Sequence, residues 1–147
     1  MLFNHSLKKR VESIPADIEI VSHDWFLYIL CSGLGGVIIY DPQPGLLYRQ
    51  HQNNLVGSNN HFFSKVYRLK KLFSGEFRRW TKINDRWIKF FIEDFTLENQ
   101  KICKTFSGCS SPNAFFRVKS FIYAKVYRQY KLETFIFMIM SALNKLK

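Results

Sequence analysis

In the first part of the chain the apolar positions come in short blocks separated by turn residues. "HSLKKRV" (5–11) predicts a short helix with a basic face, and "SIPADIEIV" (13–21) a turn followed by an extended stretch. "HDWFLYILCSGLG" (23–35) predicts a helix: Asp24 or Ser22 can cap its first turn, and Gly33 or Gly35 stops it. Apolar side chains fill nearly its whole circumference, and a helix apolar all round belongs in a core. "GVIIYD" (36–41) is β-branched and brief, the pattern of a buried strand. "PQPG" turns the chain and "LLYRQH" (46–51) resumes an extended, alternating segment. Helix, strand, turn and strand in succession predict an α/β unit.

Beyond "NNLVGSNN" (53–60) the rhythm changes to helical spacing. In "HFFSKVYRLKKLFS" (61–74) Phe62, Phe63, Val66, Leu69, Leu72 and Phe73 recur every three or four residues. Lys65, Arg68, Lys70 and Lys71 are left mostly outward, which predicts an amphipathic basic helix. "RRWTKINDRWIKFFIEDFTLENQKI" (78–102) predicts one or two more helices, with Trp80, Ile83, Trp87, Phe90 and Phe91 as an aromatic stripe. "SGCSSPNA" (107–114) reads as a loop, and residues 115–147 as one or two closing helices, basic and then strongly apolar.

Charge sharpens this division. Residues 1–60 carry four basic and five acidic side chains, whereas residues 61–147 carry eighteen and six, so all of the net +11 lies in the second region. Two functional regions are expected, 1–60 and 61–147. A hydrophobic content of 47% in 147 residues excludes a disordered chain and suffices for a real core. The three cysteines lack zinc-site spacing, since "CKTFSGC" has neither the short gap nor a following His/Cys pair. They fit a reducing compartment, and no signal peptide is evident. The uncharged stretches 25–40 and 134–143 fall short of the ~20 residues of a spanning helix, although the second is able to lie on a bilayer.

"VSHDW" (21–25) holds the first candidate chemistry. Asp24 at a helix start is either a cap or a base, because the helix dipole favours its ionised form while Trp25 partly desolvates it. His51 in "YRQHQNN" is either a surface side chain or a ligand. Arg49, two residues earlier on the same strand face, would pair with it as a phosphate contact.

Together, residues 3–4 and 14–57, which contain "HDWFLYILCSGLGGVIIYDPQPGLLYRQHQNNLVG", resemble the second half of the catalytic domain of bacterial family 2 glycosyltransferases. The branch is the rhamnosyltransferase-like enzymes of cell-surface polysaccharide, O-antigen and capsule assembly. The resemblance implies the C-terminal half of a GT-A domain over 1–60, the acceptor side, followed by a basic, mainly helical extension over 61–147. It implies an inverting transfer from a nucleotide-diphosphate sugar to a lipid-linked or saccharide acceptor. Asp24 matches the general base on the acceptor hydroxyl, and His23 and Trp25 shape the sugar pocket. His51 falls at the nucleotide diphosphate or its divalent metal (Mg2+ or Mn2+), supported by Arg49. Charge developing on the departing diphosphate is what such cations would stabilise.

No Asp-x-Asp metal motif accompanies the acids Asp17, Glu19, Asp24 and Asp41. The chain is therefore expected to be a truncated or split enzyme, whose metal and donor site would come from a separate N-terminal donor-binding chain. "GEFRRW" (75–80) faintly resembles the Gln-x-x-Arg-Trp motif of processive synthases, with Glu76 in place of Gln; Arg78, Arg79 and Trp80 otherwise read as an interfacial helix face. The basic tail reads as a solvated helix set, as a peripheral anchor on an anionic leaflet, or, least of all, as a nucleic-acid binder. The expected location is cytoplasmic, peripheral on the inner face of the plasma membrane. The competing reading is a non-catalytic basic helical protein of membrane surfaces or nucleic acid, including an inactive remnant of the enzyme.

Overall fold

A computed structural model describes residues 2–43, 74–128 and 130–147. Six α-helices run through them: α1 His5–Glu12, α2 His23–Gly33, α3 Glu76–Phe91, α4 Leu97–Ser107, α5 Ala114–Tyr123 and α6 Lys131–Ala142. Two 3-10 turns, Ile92–Asp94 and Gly108–Ser110, join α3 to α4 and lead towards α5.

Local chemistry fixes half of the helix starts. The Asn4 side chain accepts from the Leu7 amide at 2.9 Å, Thr96 from Asn99 at 3.3 Å and Asn113 from Phe115 at 2.8 Å. Each satisfies an amide that the first helical turn leaves without a carbonyl. Gly75 precedes α3 with φ +89°, a left-handed conformation that glycine adopts without strain.

Two apolar centres hold the helices together. In the first, Phe26, Leu27 and Leu30 of α2 pack with Trp87 and Phe91 of α3 and with Phe95. Phe26 meets Trp87 edge to face at 4.9 Å. The second joins Cys109, Phe121 of α5, Phe137 of α6 and Leu146. Phe77 of α3 packs against the second, 5.5 Å from Phe137, with Trp80 5.1 Å away along its own helix. Burial of a large side chain in such a centre stabilises by ~1.5–3 kcal/mol, so the spacing of Ile83, Trp87 and Phe91 along α3 suffices to orient that helix.

Gly33 makes a close inter-element approach. A Cβ there would lie 2.4 Å from the Phe95 ring, and the Gly33 carbonyl accepts from the Thr96 amide at 2.9 Å. Asn99 donates to the carbonyls of Ser32 and Gly33 at 2.9 and 3.3 Å. The end of α2 is thus fastened to the start of α4.

The α/β expectation is overturned: among the described residues there is no strand, and the architecture is helical rather than the C-terminal half of a GT-A domain. "GVIIYD" has the composition of a buried strand, yet Val37, Ile39 and Tyr40 are all 85% exposed or more. β-Branched composition makes a strand only where a neighbouring strand takes the backbone groups and a surface covers one face. Among the described residues nothing supplies either. In "SIPADIEIV" the expected turn is present over 13–18, but the residues after it form no strand. The helix predicted over 23–35 is present as α2, and residues 78–102 and 115–147 each contain two helices. The expected strand 46–51, the boundary at residue 60 and nearly all of the basic helix 61–74 lie outside the described residues. No helix of the described residues is long and apolar enough to cross a membrane.

Candidate functional site

Ser22 stands at the cap of α2 with extended backbone, but its side chain makes no capping bond. Its carbonyl accepts from the Phe26 amide at 2.9 Å and so starts the helix. Asp24 therefore sits inside the first turn rather than at the cap. There its carboxylate lies in the field of unpaired backbone amides, which favours negative charge. Nε2 of His23 is 3.5 Å from Oδ1 of Asp24, and both side chains are largely in solvent, at 86% and 60% exposure.

Trp25 leaves the pair and turns to the protein. Its ring meets Trp80 of α3 edge to face, centroids 5.6 Å apart and planes at 79°, while 45% of the residue stays exposed. His23, Asp24 and Trp25 thus stand together at the start of α2, beside the start of α3. Arg49 and His51, the other two expected site residues, lie outside the described residues.

The nearby α3 surface carries a feature the sequence reading only half identified. Arg78, Arg79, Lys82 and Arg86 line an open cleft of about 430 Å³ together with Glu19, Gly75 and Ile83. Arg79 bonds Glu19 at 3.3 Å, tying the segment before α2 to α3. Nε of Arg78 is buried without a hydrogen-bond partner. Arg78 and Arg79 are legible in "GEFRRW"; Lys82 and Arg86 escape a motif search, and the four-residue spacing 78, 82, 86 is the signal that finds them. A second, smaller cleft of about 180 Å³ lies between α2, α3 and α4, lined by Ile29, Thr81, Asn84, Asp85, Ile88, Cys103 and Phe106.

Burial pushes the Cys109 thiol up from its ordinary value of 9.0, against a hydrogen bond with Ser141 and the Lys147 ammonium. Burial likewise raises Cys103, with Lys147 opposing and Asp85 adding to the rise. Such thiols stay protonated and unreactive. Among the described residues no three His, Cys, Asp or Glu side chains gather as metal ligands. The His23–Asp24 pair alone, two side chains, does not make a divalent-cation site.

What this arrangement offers chemically is an accessible carboxylate at a helix start, a half-exposed indole one residue on, and a row of cations on the adjoining helix.

No family model matches the chain, and no solved structure matches it. A curated dTDP-rhamnosyl transferase, RfbG of Shigella flexneri, is 45% identical over 51 residues. That match covers 35% of this chain and 18% of the relative, so the chain spans less than a fifth of the length of the enzyme it resembles. The similarity relates part of the chain to a glycosyltransferase.

Proposed function

We propose that this chain contributes the acceptor side of a nucleotide-sugar-dependent rhamnosyl transfer in surface-polysaccharide assembly, with Asp24 as the general base. The observation that carries this reading is the 45% identity over 51 residues to a dTDP-rhamnosyl transferase. Asp24 suits the role because its carboxylate stands in the first turn of a helix, largely in solvent and open to a hydroxyl group. In an inverting transfer the acceptor hydroxyl attacks the anomeric carbon as the carboxylate takes its proton, and the nucleotide diphosphate leaves with the bonding pair. Such a base contributes roughly 10²–10⁴-fold to rate. The exposed part of Trp25 offers a flat apolar surface to a sugar ring, and His23 a hydrogen bond beside it. Arg49 and His51 are proposed, from the sequence resemblance, for the diphosphate. A lipid-linked or saccharide acceptor, and a separate donor-binding chain supplying the divalent cation, complete this reading.

One observation favours the non-catalytic alternative. Neither of the two clefts described above includes His23, Asp24 or Trp25. A bare surface excludes water poorly and orients a substrate weakly.

Transfer of rhamnose from dTDP-rhamnose, measured with a co-expressed donor-binding chain, separates the two readings. Transfer abolished by Asp24→Asn with folding retained supports the base role. Undiminished transfer in that variant removes Asp24 from it, and absence of transfer with any donor-binding chain leaves the non-catalytic reading standing.

A further inference from the structure

The two helices of the α5–α6 hairpin each carry apolar side chains that no other described element covers. On α5, Phe115, Phe116, Ile122 and Tyr123 are each more than half exposed. They point away from Arg117, Phe121 and Ala124, which are buried. On α6, Leu132, Phe135, Ile139 and Leu143 recur at three- and four-residue spacing and are also exposed, whereas Phe137, Met140 and Ser141 face inward. Tyr127 and Tyr130 stand exposed in the connection. A surface-facing helix ordinarily turns polar residues outward, so α6 is apolar on a face that no described element covers.

Charge identifies what fits that face. Residues 114–147 hold seven Lys or Arg and a single acid, Glu133. Arg128 occupies that acid at 3.2 Å. Lys119, Lys125, Lys131 and Lys145 are exposed. None of the four forms an ion pair with a described carboxylate, and Lys119 lies 5.7 Å above the Tyr123 ring. Tyrosine and lysine around aliphatic side chains suit the boundary between headgroups and acyl chains, where ring and methylene stem are buried and the polar tip is wet.

We propose that the α5–α6 hairpin docks peripherally on an anionic lipid bilayer, its exposed aliphatic and aromatic side chains entering the interface and its lysines meeting the lipid phosphates. The twelve residues of α6 span about 18 Å, well short of a bilayer core of about 30 Å, so the helix lies on the surface rather than crossing it. Other occupants fit less well. Pairing with a second copy would bring two faces of the same strong positive charge together. Nucleic acid would meet the lysines but leave Leu132, Ile139 and Leu143 without a stacking partner. This docking does not depend on glycosyl transfer; it would hold a catalytic chain next to a lipid-linked acceptor and would equally anchor a non-catalytic one.

Flotation of the purified chain with vesicles tests the proposal. Vesicles of phosphatidylcholine mixed with phosphatidylglycerol should carry the protein upward, and vesicles of phosphatidylcholine alone should carry little. The triple variant Lys119→Gln, Lys125→Gln, Lys131→Gln should weaken binding about a hundredfold, at about fivefold for each surface cation removed. Leu132→Ser with Phe135→Ser should weaken it about tenfold or more. Both sets change exposed side chains, and circular dichroism checks that helicity is unchanged. Failure to float with the anionic vesicles, equal flotation with neutral ones, or indifference to the Leu132 and Phe135 changes each overturns the proposal. So does a dimer in sedimentation equilibrium, or binding to duplex DNA, that is lost with Leu132→Ser and Phe135→Ser, since the face would then belong to a second copy or to nucleic acid.

Discussion

Arg117 and Ser141 bond each other's helices in both directions. Nε of Arg117 donates to the Ser141 carbonyl at 2.9 Å, and the Ser141 hydroxyl donates to the Arg117 carbonyl at 3.3 Å. The guanidinium also donates to the carbonyls of Ser111 and Pro112 at 2.7 Å and to that of Ala142. Two of these four carbonyls close α6, the end of a helix where unpaired oxygens concentrate partial negative charge. A buried cation is thereby neutralised by peptide dipoles, without a carboxylate.

Arg117→Met should therefore cost about 3 kcal/mol or more, because it leaves several buried carbonyls without donors. At roughly 2–4 °C per kcal/mol for a domain of this size, thermal unfolding followed by circular dichroism should move down accordingly. Arg117→Lys should recover only part of the loss, since one ammonium cannot span all four oxygens.

Gly33→Ala should destabilise by about 1–3 kcal/mol, because the new methyl group would sit 2.4 Å from a buried ring. Urea unfolding measures the loss. Phe95→Leu in the same chain should recover part of it, and additive losses would show that Phe95 is not what crowds Gly33.

At the start of α2 the two neighbours should respond differently. Trp25→Ala removes the edge-to-face contact with Trp80 and should cost about 1 kcal/mol or more. Asp24→Asn loses only the attraction between an exposed carboxylate and the helix start, less than about 1 kcal/mol. Comparing the two unfolding curves therefore separates a structural tryptophan from a carboxylate that the fold does not need.

The cysteines give a pH dependence of definite sign. Cys103 and Cys109 are raised in the folded chain, so the folded state holds their protons more tightly than the unfolded one. Their contribution is complete below the ordinary value of 9.0 and is lost as pH rises past it towards the folded values. Denaturant midpoints should fall above that pH, and Cys103→Ala with Cys109→Ala should flatten the fall. Stability unchanged by pH in that range would show that the two thiols titrate alike in both states.

Much of the helical order is legible in the sequence because it is local. The start "HDWFLYILCSG" states both where α2 begins and that it is apolar, and the spacing of Ile83, Trp87 and Phe91 identifies the buried face of α3. Asn4, Thr96 and Asn113 mark helix starts by their chemistry alone. The candidate site was legible only in part. "HDW" names three adjacent residues, but that Trp25 turns to Trp80 while Asp24 stays in water depends on where α3 packs.

The sequence by itself determined the short helix α1, the apolar helix α2 and the helical character of residues 78–102 and 115–147, the concentration of positive charge after residue 60, and the acid at the mouth of an apolar segment. Hydrogen bonds and side-chain spacing within a few residues suffice for such features. Only the tertiary structure decided that "GVIIYD" joins no strand among the described residues, that Arg117 is buried among four carbonyls, and that no described element covers one face of α6. Each of these depends on what lies across space from a residue. A strand needs a neighbour for its backbone, a buried cation needs acceptors from distant segments, and an apolar face is covered only if another element reaches it.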